Sequence, residues 1–164
     1  MAIVRPAVDA DLPALTDIYN HYIINTPITF DTNPVTPEQR RPWFSEHAPQ
    51  GRHRLVVAEQ DGHVVGYAST SRFRPKAGYD TTVEASVYCR ADSVGRGIGT
   101  LMYRTLFEMI AGEDVRQIVA GVTQPNAASV ALHTRVGFQR IGVFQGIGRK
   151  FDRYWDVAWF QRPL

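Results

Sequence analysis

The sequence predicts a mixed α/β fold, a central and mostly antiparallel sheet flanked by helices. Three observations carry that expectation. Apolar strand patterns and helical stripes follow one another in the order β-α-α-β-β-β-α-β-α-β-β. The pair Asp61-Gly62 joins two adjacent strand patterns as a hairpin turn. Gly112 and Gly137 stand where two later helices should stop. The 164 residues suit one domain spanning 1–164, with roughly 70% of the extended surface buried on folding.

Taken in order, residues 2–6 (AIVRP) read as a short strand. Asp9 or Asp11 can then cap a helix that tolerates Pro13 in its first turn, with Leu12, Leu15, Ile18, Tyr19, Tyr22 and Ile23 on one face. Three prolines in the segment from Asn25 to Pro37, the last of them Pro37 itself, make that stretch a loop, in which Ile28 and Phe30 are the conspicuous apolar residues. A shorter helix follows, capped by Thr36 with Pro37 at its first position. RLVVAEQ and HVVGYASTSRF form the hairpin, RPKAGYDTT is a loop, and VEASVYC is a strand. Alternation along that strand puts Val83, Ala85, Val87 and Cys89 on one face and Glu84, Ser86 and Tyr88 on the other. After VGRGIG, a helix should bury Leu101, Met102, Thr105, Leu106 and Met109. VRQIVAGVT reads as a central strand, AASVALHTRV as a helix, and the remainder as two antiparallel strands.

Composition narrows the function. Eighteen basic and sixteen acidic residues leave a net charge of +2, which argues against a nucleic-acid partner held by bulk charge. Charged residues at 21% and hydrophobic ones at 44% exclude a disordered chain. The single cysteine, Cys89, cannot form an internal disulfide and fits a reducing compartment. The opening residues carry no secretory pattern, and no run approaches the ~20 apolar residues of a membrane span. The expectation is a cytoplasmic enzyme without membrane or nucleic-acid partners. The histidines His21, His47, His53, His63 and His133 lack metal-ligand spacing, so no metal site is expected.

The stretch most informative for chemistry is Val94-Gly95-Arg96-Gly97-Ile98-Gly99-Thr100, between a strand and a helix. Its glycines allow a tight turn and leave N–H groups uncovered at a helix N-terminus, an arrangement suited to a pyrophosphate. The plain alternative is a glycine turn that binds nothing. A Walker loop needs a lysine that Gly99-Thr100-Leu101 lacks, and the G-x-G-x-G spacing is not that of a dinucleotide fingerprint.

The loop resembles the coenzyme A loop of the GNAT N-acetyltransferase superfamily, Gln/Arg-x-x-Gly-x-Gly/Ala, departing from it at Val94. Asn126-Ala127-Ala128-Ser129, Leu132-His133 and Gly137-Phe138 resemble the superfamily's later helix and its closing Gly-Phe. Ile18-Tyr19-Asn20-His21, Thr29-Phe30, Val83 to Tyr88, Asn126 to His133 and the tail Gly148 to Val157 resemble the phosphinothricin/methionine sulfoximine (methionine sulfone) acetyltransferase branch. The resemblance implies the GNAT acyl-CoA N-acyltransferase fold, acetyl-CoA as co-substrate, and a small glutamate-like amino acid as acceptor.

It also implies roles for particular residues. Glu84 stands where the branch's proposed base lies, and a base is useful because an α-amine with a pKa near ~8 is mostly protonated at neutral pH. The bland reading is a salt-bridged strand glutamate. Val87, Tyr88 and Cys89 would present backbone groups to the pantetheine arm, and Gly95, Arg96, Gly97, Ile98, Gly99 and Thr100 would hold the pyrophosphate. Asn126 and Ser129 would meet the arm at the next helix, where Asn126 also reads as an N-cap. His133 is counted on the cofactor side and can donate a proton, although a packed helix histidine reads equally well. Cys89 reads as core rather than nucleophile.

The acceptor is expected at Arg74, Lys76, Ala77, Gly78 and Tyr79, with Phe30 closing over the pocket. Arginine forks and lysine charge suit a carboxylate, phosphinate or sulfoximine group. The basic cluster Arg72, Arg74 and Lys76 reads otherwise as an exposed loop of no consequence. Competing functions are acetylation of a protein N-terminus or another amine, and coenzyme A binding without catalysis. The resemblance implies a homodimer, and the aromatic tail Tyr154, Trp155, Trp159 and Phe160 can feed either an interface or the core.

Overall fold

A computed structural model describes residues 1–164 and has the predicted element order: β1 (Ile3–Pro6), α1 (Leu12–Asn25), α2 (Pro37–Ser45), β2 (Leu55–Gln60), β3 (His63–Arg72), β4 (Thr82–Cys89), α3 (Ile98–Ile110), β5 (Gln117–Gln124), α4 (Ala127–Arg135), β6 (Gln139–Lys150) and β7 (Arg153–Pro163). The seven strands form one sheet in the order β1-β2-β3-β4-β5-β7-β6. Every neighbouring pair is antiparallel except β4 and β5.

Strand alternation divides the sheet into two chemically distinct faces. Val56, Ala58, Ala68, Val83, Ala85, Ile118, Ala120, Val122, Ala158 and Phe160 point to one side and meet Met102, Tyr103, Leu106, Phe107 and Ile110 of α3 in the main core. On the other side Leu55, Val57 and Tyr67 pack under Leu15 and Ile18 of α1, with Trp43 and Phe44 of α2 at the edge. Each such large side chain contributes roughly 1.5–3 kcal/mol by leaving water.

Local chemistry explains most boundaries. The β2–β3 turn has positive φ at both central residues, Asp61 (52°) and Gly62 (77°), the geometry that a twisted two-residue hairpin demands. Thr36 begins α2 in a reciprocal cap: its hydroxyl accepts from Gln39 N–H at 3.2 Å, and its own N–H donates to Gln39 Oε1 at 2.9 Å. Gly137 ends α4 at φ 92°.

Two expectations are corrected. Neither Asp9 nor Asp11 caps α1. Asp11 instead accepts the Val8 N–H at 2.8 Å and both arms of the Arg5 fork at 2.8 and 2.9 Å, tying β1 to the short 3-10 turn before the helix. The buried stripe of α3 is also rotated. Leu101 is 40% exposed, while Tyr103 and Phe107 fill the core with Ile98, Met102, Leu106 and Ile110. The aromatics win those positions because their larger apolar area gains more from burial.

Candidate active site

The sheet opens at one place. β4 and β5 pair only at Thr82 with Gln117, Val83 with Ile118 and Glu84 with Val119. Beyond Glu84 the strands diverge, although β4 remains paired to β3 as far as Cys89 and β5 to β7 as far as Gln124. The facing edges therefore leave backbone donors and acceptors unspent, and a crevice opens between them. Its walls include Ala85, Ser86, Val87, Tyr88, Gly121 and Thr123, with Asn126, Ser129 and His133 at its α4 end and Ile28 reaching over from the 26–36 loop.

The glycine turn adjoins this wedge. Gly95 and Gly97 have φ of 82° and 78°, conformations that side-chain-bearing residues rarely adopt. A Cβ on either would meet nothing within 4 Å, so the turn is open. Gly97 caps α3 without any side-chain bond, which leaves the first-turn amides at Ile98, Gly99 and Thr100 to an external acceptor. Gly99 also permits close packing, for a Cβ there would stand 3.0 Å from Leu132 Cδ2 of α4. Asn126 caps α4 by accepting Ser129 N–H at 3.1 Å and borders the crevice. These open amides and unpaired strand edges fit the diphosphate and amide-bearing arm of coenzyme A. Arg96 is exposed beside the turn.

His133 lies at the base of the crevice, 3% exposed, among the rings of Tyr103, Phe138 and Phe160. Its Nδ1 is 2.7 Å from the Ser129 carbonyl, which can only accept, so Nδ1 carries the hydrogen. Burial pushes the imidazole pKa down, so the neutral ring has only Nε2 to accept, and Tyr103 Oη lies 3.1 Å from it. Both nitrogens are engaged, and the ring offers no free donor to a leaving thiolate. Cys89 is half-buried against the main core, and burial raises its thiol to about 11, far from a thiolate. Its carbonyl accepts from Tyr22 Oη at 2.6 Å, fixing the end of β4 to α1.

Glu84 stands at the apex, on the last residue pair before the strands part. Its side chain shares the α1/α2 face with Ser71 directly opposite, and with Ser86 and Tyr88 further along. Burial raises its carboxyl pKa, and the charge of Arg74 partly opposes that. The basic cluster separates in its contacts. Arg72 is held by Asp80 at 3.6 Å and the Pro75 carbonyl at 2.7 Å, while Arg74 lies over the Phe73 ring at 4.9 Å and Lys76 leads the exposed 3-10 turn Ala77-Gly78-Tyr79. Phe73 in turn meets Tyr79 and Trp159, forming an aromatic wall. Phe30 rests against the backbone of Gly148 on β6, with the neighbouring Thr29 carbonyl accepting from Lys150 Nζ at 2.8 Å.

The sequence reading missed a second hollow on this face, about 290 Å³, lined by Tyr19, Arg40, Tyr67, Ser69, Ser71 and Ser86 among others. One signal pointed to it: Arg40 stands at helical spacing from the apolar Trp43 and Phe44 of α2.

A sheet split between its two parallel strands, above a glycine turn with open amides, defines an N-acetyltransferase. The chain belongs to the GNAT family: an acetyltransferase (GNAT) domain matches residues 4–159. It is 52% identical over 163 residues to a phosphinothricin N-acetyltransferase of Streptomyces coelicolor, covering 98% of this chain and 95% of that one. It is 39% identical to an L-methionine sulfoximine/L-methionine sulfone acetyltransferase of Pseudomonas paraeruginosa, covering 99% and 95%. A solved phosphinothricin acetyltransferase of Sinorhizobium meliloti in complex with acetyl-CoA superimposes with a TM-score of 0.94 at 34% identity, covering 99% of this chain and 88% of that chain. The fold and family expected from the sequence are borne out.

Proposed function

We propose that the protein transfers the acetyl group of acetyl-CoA to the α-amine of a small glutamate-like amino acid, such as phosphinothricin, methionine sulfoximine or methionine sulfone. The observation that carries this reading is the position of Glu84, a half-buried carboxylate where β4 and β5 part, between the cofactor crevice and the polar hollow of the opposite face. The names of the relatives support the substrate class.

In this mechanism the turn Gly95 to Thr100 holds the diphosphate through main-chain amides, while Val87, Tyr88, Cys89, Asn126 and Ser129 guide the arm. The acceptor approaches from the α1/α2 side. Glu84 takes a proton from its ammonium, directly or through water, and the freed nitrogen attacks the thioester carbon. The carbonyl oxygen gains charge and finds a main-chain donor on the unpaired edge of β4. The C–S bond then breaks, the nitrogen releases its second proton to water as the amide forms, and the thiolate takes a proton from water. Arg74 and Lys76 hold the acceptor carboxylate, Ala77, Gly78 and Tyr79 form the wall, and Phe30 closes the loop side.

A homodimer belongs to the same proposal. Ile141, Val143, Phe144 and Ile147 on edge strand β6 are exposed, with Phe151 and Tyr154 just beyond, a larger apolar strip than a lone edge strand usually shows. A cytoplasmic setting is proposed with it. The test is a free-thiol assay with acetyl-CoA across amino acids, their sulfones and sulfoximines, polyamines and short peptides. Turnover on the amino acids is expected; turnover confined to peptides or polyamines would replace this reading.

A further inference from the structure

Arg40 is a buried cation without a counterion. It is 7% exposed, and none of the ion pairs in the molecule includes it. Its guanidinium is sandwiched between the rings of Tyr19 and Trp43, 4.1 and 4.0 Å from their centroids. One arm donates to the Leu15 carbonyl at 2.7 Å and the other to Tyr67 Oη at 2.8 Å. Two of five N–H donors are thus spent on neutral acceptors, and the rest of the edge borders the hollow lined by Ser69, Ser71 and Ser86. An unpaired charge at such depth is costly unless something compensates it.

The hollow has the chemistry of an oxygen-rich ligand: three serine hydroxyls, the Tyr67 hydroxyl and a planar fork suited to paired oxygens. Its 290 Å³ lies at the small end of ligand pockets. Asp31 on the rim is occupied by the Tyr19 hydroxyl. Position along the sheet decides which end of a ligand lies there. Glu84 faces Ser71, whereas Arg40 bonds the hydroxyl of Tyr67, a residue that stands four positions, roughly 13 Å of strand, from Ser71 along β3. A group held by Arg40 is therefore displaced along the sheet from the position of Glu84.

We propose that Arg40 sets acceptor specificity by taking the oxygens of the acceptor's side-chain terminus, a phosphinate, sulfone or sulfoximine, while the α-carboxylate stays near Arg74. This rests on the acceptor class proposed above. The alternative is that Arg40 only staples α2 to α1 and β3, and the experiment separates the two.

Methionine sulfone and methionine differ by two oxygens on sulfur. Apparent KM and kcat for both are measured on the wild-type, Arg40→Gln and Arg40→Lys proteins, with melting curves. The expected result is a wild type that prefers the sulfone, and an Arg40→Gln protein whose KM for the sulfone rises about 10- to 100-fold, with its KM for methionine little changed. Arg40→Lys, which keeps the charge and loses the fork, should fall between and serves where Arg40→Gln does not fold. Equal losses on both acceptors, or an unchanged preference in a folded variant, would overturn the assignment. If the wild type acetylates no amino acid, the function proposed above fails by itself. Calorimetric titration of the coenzyme A-loaded protein with methionine sulfone then decides for Arg40: binding lost in Arg40→Gln upholds its role, and binding equal in both, or absent, ends it.

Discussion

The carboxyl of Glu84 and the guanidinium of Arg74 are electrostatically linked: burial pushes the carboxyl pKa up, and the arginine charge pulls it part of the way back. A base must be ionised to act, so kcat/KM should climb with pH through the raised Glu84 pKa. Arg74→Ala removes the opposing charge, and the climb should move to higher pH while the acceptor KM increases. Glu84→Gln should lower kcat about 100-fold or more. A pH–rate profile that begins in the ordinary carboxylate range, about pH 4, and runs to about pH 9 tests all three. An acid limb that stays in place in Arg74→Ala, or full turnover in Glu84→Gln, would remove Glu84 from the chemistry.

How much of this was legible beforehand depends on whether a feature is local. Thr36, Asp61-Gly62 and Gly137 act within a few residues, and the elements that they bound stand where the sequence put them. The glycine turn was legible for the same reason. Asp11 was misread because its carboxylate has a partner six residues away, Arg5, that outcompetes the helix amides. The α3 stripe was misplaced because Leu101 fits the helical period as well as Tyr103 does, and only the sheet decides between them. The opening beyond Glu84 is a property of register between distant strands, which no local pattern encodes. Arg40 resisted for another reason: an arginine in an amphipathic stripe looks like its solvated edge until the rings of Tyr19 and Trp43 are seen to enclose it.

Gly97→Ala tests the cofactor turn. At φ 78° an alanine fits the space but not the backbone, at a cost of about 1–2 kcal/mol. Relief by rotating the turn withdraws the amides at the α3 N-terminus, and a loss of that size is about 5- to 30-fold in affinity. The expected outcome is a rise of that order in the acetyl-CoA KM with the acceptor KM nearly constant. Thermal melts with and without acetyl-CoA give an independent reading, since the cofactor-induced rise in Tm should shrink.

Asp11 governs acid stability. Burial raises its pKa, yet the Arg5 fork and the Val8 N–H outweigh burial, and the folded-state value falls below the ordinary one. The unfolded chain therefore binds this proton more readily. The contribution is complete above the unfolded pKa of about 3.9 and is lost as pH falls through the folded value. Asp11→Asn should cost roughly 1–3 kcal/mol at neutral pH, because it leaves Arg5 with Glu59 alone at 2.9 Å. Urea denaturation at a series of pH values should show the variant's stability declining less steeply below about pH 4 than that of the wild type.

The contact between Phe30 and Gly148 allows a sharper test of the 26–36 loop. A Cβ on residue 148 would overlap the Phe30 ring, and the ring cannot yield as a flexible chain end does. Gly148→Ala must therefore lift Phe30 from β6 and strain the adjoining bond from Lys150 Nζ to the Thr29 carbonyl. Overpacking of this kind costs about 1–3 kcal/mol. Since Ile28 and Asp31 of the same loop border the crevice and the hollow, acceptor KM should rise with the loss of stability. Phe30→Leu removes the bulk that causes the overlap, so the double variant should be more stable than Gly148→Ala alone, a coupling visible in a double-mutant cycle of melting and KM. Strictly additive effects would mean that the loop is held down by contacts other than this ring.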